Sequence, residues 1–259
     1  MRRSNASLLA MWTVARLKLV RRTPRQAFFT FIFPLMFLVI FNALNSGTRL
    51  NTDAGRLSYA QYFTPAIGIF GLATSCYTGM IFAIAAAHER GVMKRVAATP
   101  LAPWIFLTAV LLATIVAGVL SVLLMFLVGV PAFGVHIYPR LLPAAIATLV
   151  IGGAAVGALG LAVATAVDKV ESAPAIANLT LLPLTFISGV FYPLHGAPQL
   201  LKDIAHFFPL SHIVDAFTAC FSPRTTGSGF AFGHLGVCAA WGAAGLWIAV
   251  RRFRAQALG

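Results

Sequence analysis

The stretch PWIFLTAVLLATIVAGVLSVLLMFLVGV, residues 103–130, carries no ionisable side chain. A helix rises about 1.5 Å per residue, so roughly 20 apolar residues cross about 30 Å of hydrocarbon. This run exceeds that length, and buried helices of water-soluble domains rarely do. Working outward, five comparable runs follow from the same criterion: Ala27 to Leu44, Tyr59 to Ala87, Leu141 to Val167, Pro174 to Tyr192 and Phe230 to Val250. Hydrophobic residues form 59% of the 259, charged ones 10%, and the mean hydropathy is +0.88. These values describe an integral membrane protein. A spanning β-barrel needs alternating lipid-facing and lumen-facing residues, which continuous apolar runs exclude. The expected fold is therefore all-α, with six transmembrane helices, since helices satisfy their own backbone in lipid.

The net charge of +13 raises the question of nucleic acid, and the distribution of charge answers it. With the amino terminus inside, the inner segments hold fourteen of the nineteen basic residues: seven before residue 26, then Arg90, Lys94, Arg95, Lys169, Arg251, Arg252 and Arg254. Only Arg49, Arg56, Arg140, Lys202 and Arg224 fall outside. The positive-inside rule then places both termini in the cytoplasm. Attraction to anionic lipid accounts for the basic excess with no nucleic-acid partner.

Residues 1–26 read as an interfacial amphipathic helix. Leu8, Met11, Trp12, Ala15 and Leu19 recur at helical spacing among Arg16, Lys18, Arg21 and Arg22, and Thr23-Pro24 ends the run. Residues 27–259 form the spanning domain. The second span carries Thr64, Gly68, Gly71, Ser75 and Gly79 on one stripe, and the fourth carries Gly152, Gly153, Gly157 and Gly160. Small residues at such spacing let helices approach closely in lipid. On the fifth span Asn178, Thr185 and Ser188 share a face. We expect a substrate path there, opposite Gly71 and Ser75 of the second span, with interhelical hydrogen bonding as the competing reading. Cys76, Cys220 and Cys238 have no disulfide or zinc spacing and read as small apolar fillers.

Between the fifth and sixth spans, residues 194–225 contain two apolar faces too short to cross: Leu200, Leu201, Ile204, Phe207, Phe208, and then Leu210, Ile213, Val214, Phe217, Phe221. Pro209 breaks the helix between them. A re-entrant extracellular hairpin, with Phe207, Phe208 and Pro209 as its outer gate, competes with two helices resting on the surface. His212 stands one turn before Asp215, and a local contact between them is a simpler account than a metal site made with His206.

The chain has no G-x-x-x-x-G-K-[ST] loop to cradle phosphate and no H-E-x-x-H. Its six acids all fall outside the deep core, which argues against a proton-coupled carrier. Energy must then come from elsewhere, and the charged knot at residues 88–102 is the candidate route. Its length suits a short helix beneath the membrane, with Glu89 near its amino terminus, Lys94 and Arg95 toward its end, and Thr99-Pro100 as a stop. A topological anchor would need the basic residues but neither the acid nor the stop.

ERGVMKRVAATPL, residues 89–101, resembles the acidic-Arg-x-Gly-Thr segment, ending Thr-Pro-Leu, of type 2 permeases of ATP-binding cassette (ABC) exporters, the drug-resistance and antibiotic-efflux branch in particular. FISGVFYPL, residues 186–194, and FFPLSHIVDAF, residues 207–217, are similar to that family's second hallmark. Val92 stands where the family commonly has Thr. The resemblance implies a bacterial cytoplasmic membrane and a dimer of twelve spans, the second permease copy being the same chain or a sister. It also implies that residues 88–102 are a coupling helix through which Glu89, Arg90, Gly91, Lys94, Arg95, Thr99 and Pro100 meet ABC ATPase subunits. This chain would then bind no cofactor, and ATP and Mg would lie on the partner. The expected function is a permease subunit moving an amphipathic, drug-like or lipid-like hydrophobic substrate outward. Polysaccharide or glycolipid export, and a non-transporting assembly or sensor role on the same scaffold, are the alternatives.

Overall fold

The computed structural model describes residues 9–16, 27–52, 55–92, 103–167 and 169–258. Helix α1 covers residues 9–16. A π-helical turn, Phe28–Ile32, leads into α2 (Phe33–Leu44). A hairpin of β1 (Arg49–Thr52) and β2 (Gly55–Ser58) follows, then α3 (Tyr59–Ala73), a second π turn (Thr74–Thr78) and α4 (Gly79–Glu89) as one continuous rod. After it come α5 (Pro103–Phe133), α6 (Leu142–Ala164), α7 (Ala173–Ile187), α8 (Gln199–Phe207), α9 (Pro209–Ala219) and α10 (Phe232–Leu258).

Among the described residues, five helices are long and apolar enough to cross a bilayer: Tyr59–Glu89, Trp104–Phe133, Pro139–Ala164, Val170–Ile187 and Phe232–Arg252. Phe28–Leu44 is a shorter apolar helix. The chain is a multi-pass helical membrane protein. The fifth run differs most from its expected bounds, beginning at Val170 and ending at Ile187 instead of Tyr192. Its stop is a turn at Ser188, followed by Gly189 at φ +79°, a left-handed position that glycine adopts without steric cost.

The hairpin, Arg49 opposite Ser58 and Leu50 opposite Leu57, was not foreseen from the hydropathy reading. It is short, and Ser58 at its end accepts the Gln61 N–H and so caps α3. We refer below to the hairpin end of the bundle and to the knot end, which carries Glu89.

Helix α6 is the centre of the packing, and its glycines explain why. A Cβ on Gly160 would sit 2.7 Å from the Tyr77 carbonyl oxygen, and one on Gly152 would sit 2.9 Å from the Ile213 side chain. From the other side, Gly245 of α10 lies against the Ala158 backbone and Gly242 against Ala155. Backbones approach here because no side chain intervenes, as small-residue stripes in lipid require. The three cysteines are free and buried within this packing.

Helices α8 and α9 part company across Pro209. Leu210, Ile213, Val214 and Phe217 of α9 are buried against α3, α6 and α10, whereas Leu200, Ile204 and Phe207 of α8 are exposed.

Candidate functional site

Both π turns border one cavity. In each, an extra residue widens the helix, so that Phe33 N–H reaches Phe28 O and Gly79 N–H reaches Thr74 O. Such turns are frequent at functional sites. The Ser121 hydroxyl of α5 donates to Thr30 O at 2.7 Å and braces the first turn. The cavity, about 140 Å³, lies among α2, the α3–α4 rod and α7. Its lining is Phe29, Thr30, Phe33, Phe70, Thr74, Thr78, Gly79, Phe82, Pro174, Asn178, Leu181 and Leu182. The hydroxyl oxygens of Thr74 and Thr78 are buried and have no hydrogen-bond partner. An unmade hydrogen bond at a buried hydroxyl is costly, and these two belong to a wall that is apolar but for Thr30 and Asn178. Apolar walls with a few convergent polar groups are the usual make-up of a small-molecule pocket.

Toward the hairpin end an aromatic cluster stands above this cavity. Phe191 stacks on Phe186 at 4.8 Å between centroids and meets Phe37 at 5.8 Å, Phe41 at 6.0 Å and Phe63 at 6.4 Å. Phe191 is held by the turn that ends α7. Tyr62 of α3 donates its hydroxyl to Gly189 O, and Tyr59 donates to Phe191 O at 3.4 Å. The S-G-V-F-Y-P run is thus stapled to the start of the α3–α4 rod.

The expected path residues separate. Asn178 lines the cavity, but Gly71 and Ser75 face α5: a Cβ on Gly71 would overlap Ser121 Oγ, and Ser75 Oγ donates to Thr114 O at 2.8 Å. The threonines one residue before Ser75 and three after it, Thr74 and Thr78, point toward α7 instead. Thr185 and Ser188 are buried and donate to the Leu181 and Leu184 carbonyls of their own helix at 2.8 and 2.5 Å. The residues expected at the outer gate do not line this cavity. Phe207 and Phe208 contact Trp241 of α10 at 5.3 and 6.1 Å, and Trp241 Nε1 donates to Phe207 O, so Phe207, Phe208 and Pro209 are apart from the cavity that holds Asn178.

At the knot, Glu89 is the exposed last residue of α4, Gly91 takes φ +62° after it, and helical backbone resumes at Val92. The acid therefore ends the α3–α4 rod and stands just before the point where helical backbone resumes. The left-handed glycine is what separates the two. Lys94, Arg95, Thr99 and Pro100 lie outside the described residues, as do residues 1–8 and 17–26 of the expected interfacial helix. The described part, α1, rests on the start of α5: Trp12 makes an edge contact with Phe106 at 6.0 Å, and the Arg16 guanidinium stands 4.7 Å over the same ring. Burial, together with the nearby Arg90 charge, lowers the Arg16 pKa from its ordinary value. The amino-terminal helix and the knot are neighbours.

Asp215 pairs with His206 across the proline break, at 3.4 Å, and not with His212 as the helical spacing suggested. His212 turns its Nδ1 to His234 Nδ1 at 2.8 Å and its Nε2 to His206 O. Among the described residues, no group of three or more His, Cys, Asp or Glu could hold a metal ion. Sequence reasoning also missed Gln61. It is buried and donates through Nε2 to His136 O and Phe221 O at 2.9 and 2.7 Å, while its Oε1 accepts from His136 N at 2.8 Å. A lone glutamine three residues after a helix-capping serine in an apolar run was the signal available.

The family model described as ABC-2 family transporter protein matches residues 45–251, from the hairpin to the last long helix. A search of curated proteins finds no match.

Proposed function

Because this chain belongs to the ABC-2 family of transporter proteins, and so is a membrane permease of an ABC transporter, we propose that it exports an amphipathic, drug-like or lipid-like molecule. The observation that carries this reading is the cavity bordered by the two π turns, where apolar walls surround the unpaired hydroxyls of Thr74 and Thr78 and the Asn178 carboxamide. A molecule with a hydrocarbon body and one or two polar groups fits such a lining. A polysaccharide would need many more hydrogen-bonding side chains than the four, Thr30, Thr74, Thr78 and Asn178, of this lining.

On this reading Phe28–Leu44 is the sixth span, both termini are cytoplasmic and the knot end is the cytoplasmic end. The cavity takes substrate from that side, and the Phe191 cluster closes the outward route until the rods separate. The outer half-helices are re-entrant, in keeping with the burial of α9 beside Trp241, which stands about midway along the last span. A second permease copy would cover the exposed apolar side chains of α2 and α7, among them Met36, Val39, Leu179 and Phe186. ATP and Mg belong to separate ABC ATPase subunits. Glu89, Arg90 and Gly91, with Lys94, Arg95, Thr99 and Pro100, are the coupling segment they would push.

The test is ATP-dependent uptake into everted membrane vesicles containing the chain and its co-purifying ATPase. A fluorescent amphipath is compared with a labelled oligosaccharide. We expect uptake of the amphipath, abolished without ATP. Transport of the oligosaccharide alone would overturn the substrate class.

A further inference from the structure

A second cavity, about 420 Å³, runs along the other side of α7 between the second π turn, α6 and α10. It extends from Pro209 and Trp241 at one end to Ala166 and Arg252 at the other. Unlike the first cavity, its polar groups are already spent. The Tyr77 and Thr180 hydroxyls bond each other at 2.9 Å, and Trp241 Nε1 donates to Phe207 O at 2.9 Å. What remains between the ends is hydrocarbon, with Val156 and Leu184 typical of it. At the knot end the character changes. Arg252 is exposed, and among the described residues no carboxylate pairs with it. Its neighbour Arg251 is engaged over the Trp247 ring at 4.8 Å, on a different face of α10.

The length of the groove is informative. Trp241 and Arg252 are eleven residues apart on one helix, which is about 16 Å at the helical rise and close to half of the roughly 30 Å hydrocarbon thickness. An apolar groove one leaflet deep, ending at an unpaired guanidinium, has the dimensions and charge of a site for one membrane lipid. We propose that it holds an acyl chain of an anionic phospholipid, whose phosphate is met by Arg252. Basic residues at the membrane surface between helices favour anionic head groups, and the attraction falls away within a Debye length. The substrate cavity is a separate space on the opposite face of α7, so this site stands whether or not the export reading does.

The experiment uses the full chain with Trp12, Trp104 and Trp247 replaced by Phe, leaving Trp241 as the only indole in the groove. It is reconstituted in phosphatidylcholine vesicles containing either brominated phosphatidylglycerol or brominated phosphatidylcholine at equal mole fraction, and Trp241 quenching is measured. One basic contact predicts about a five-fold preference for the anionic lipid at low salt, reduced to parity in Arg252→Gln. Ala162→Phe, which fills the groove wall, should protect Trp241 from both lipids. A second chain retaining only Trp247, which is exposed, reports that brominated lipid reaches the protein. Equal quenching by the two lipids, unchanged in Arg252→Gln, would mean ordinary bulk contact and overturn the proposal. So would a Trp241 shielded from both lipids while Trp247 is quenched, since a protein surface, such as a second copy, would then cover the groove. Because Arg252 is exposed, its replacement leaves the packing intact and the test readable.

Discussion

Replacing Gln61 by Met keeps the volume of the side chain close to constant and removes its hydrogen bonds at the hairpin end. Three bonds are lost, those to His136 O and Phe221 O and the one from His136 N. The Phe221 carbonyl is the buried partner and is left unpaired, which costs about 1–3 kcal/mol; the two bonds to His136 are partly open to water and contribute about 0.5 kcal/mol each. The sum, about 2–4 kcal/mol, falls on local opening of the loops at 134–141 and 221–229, because Gln61 ties both to α3. The Arg140 guanidinium crosses between them to Thr225 O at 2.6 Å, so the two loops should loosen together. The assay is tryptic nicking at Arg140 and Arg224 in detergent, under conditions where cleavage follows the open population. At tenfold per 1.4 kcal/mol, the Met variant should be cut roughly 30-fold to several hundred-fold faster. Gln61→Glu, which sets a buried carboxylate oxygen against the His136 and Phe221 carbonyls where the amide donated, should be cut at least as fast as the Met variant. A Met variant cut at the wild-type rate would refute the staple.

Gly160→Ala should lower the stability of the purified protein by about 1–3 kcal/mol, the usual cost of overpacking, because the new methyl meets the Tyr77 backbone and not a side chain that can rotate away. Gly233→Ala and Gly236→Ala, which face open space, should be neutral, and thermal unfolding monitored by size-exclusion of the folded fraction separates the two outcomes. Thr74→Val with Thr78→Val removes hydroxyls that have no partner, so stability should be held or raised, while uptake of the amphipath falls several-fold; unaltered uptake would detach the cavity from transport. On a cysteine-free background, Lys202→Cys should react with an impermeant reagent from outside and Arg252→Cys only from inside, and the reverse pattern would invert the proposed orientation.

Much of the membrane architecture was legible because it depends on run length. Residues 103–130 could hardly be anything but a spanning helix, and the glycines at 152, 153, 157 and 160 implied the close packing that α6 displays. The site was less legible, because a helical stripe read at 3.6 residues per turn fails wherever a π turn inserts a residue. Gly79, just past the second π turn, thus lines the cavity while Gly71 and Ser75 of the same expected stripe pack on α5, and the stripe alone did not say that α5 and not α7 would be its neighbour. Contacts over long separations were hidden for another reason. Nothing in the sequence ties Gln61 to Phe221 or Tyr62 to Gly189, since such pairs arise only once the rods are side by side. The pairing of Asp215 with His206 escaped because the Pro209 break brings α8 back over α9, which helical spacing within α9 could not reveal.

The central claim is that this permease works only through a separate ATPase that meets the knot. ATP hydrolysis by the reconstituted chain, alone and with its co-purifying ABC ATPase, tests it most directly, with Glu89→Lys assayed beside the wild type at matched membrane levels. Glu89 is exposed at the end of α4, so its replacement should leave folding unchanged. A reversed charge at a docking contact of this kind costs about 2 kcal/mol or more, which is about a 30-fold loss of association. The account predicts no hydrolysis by the chain alone, substrate-stimulated hydrolysis by the complex, and loss of both the stimulation and the co-purification in Glu89→Lys. Hydrolysis by the isolated chain, or a Glu89→Lys complex that assembles and transports like the wild type, would contradict it.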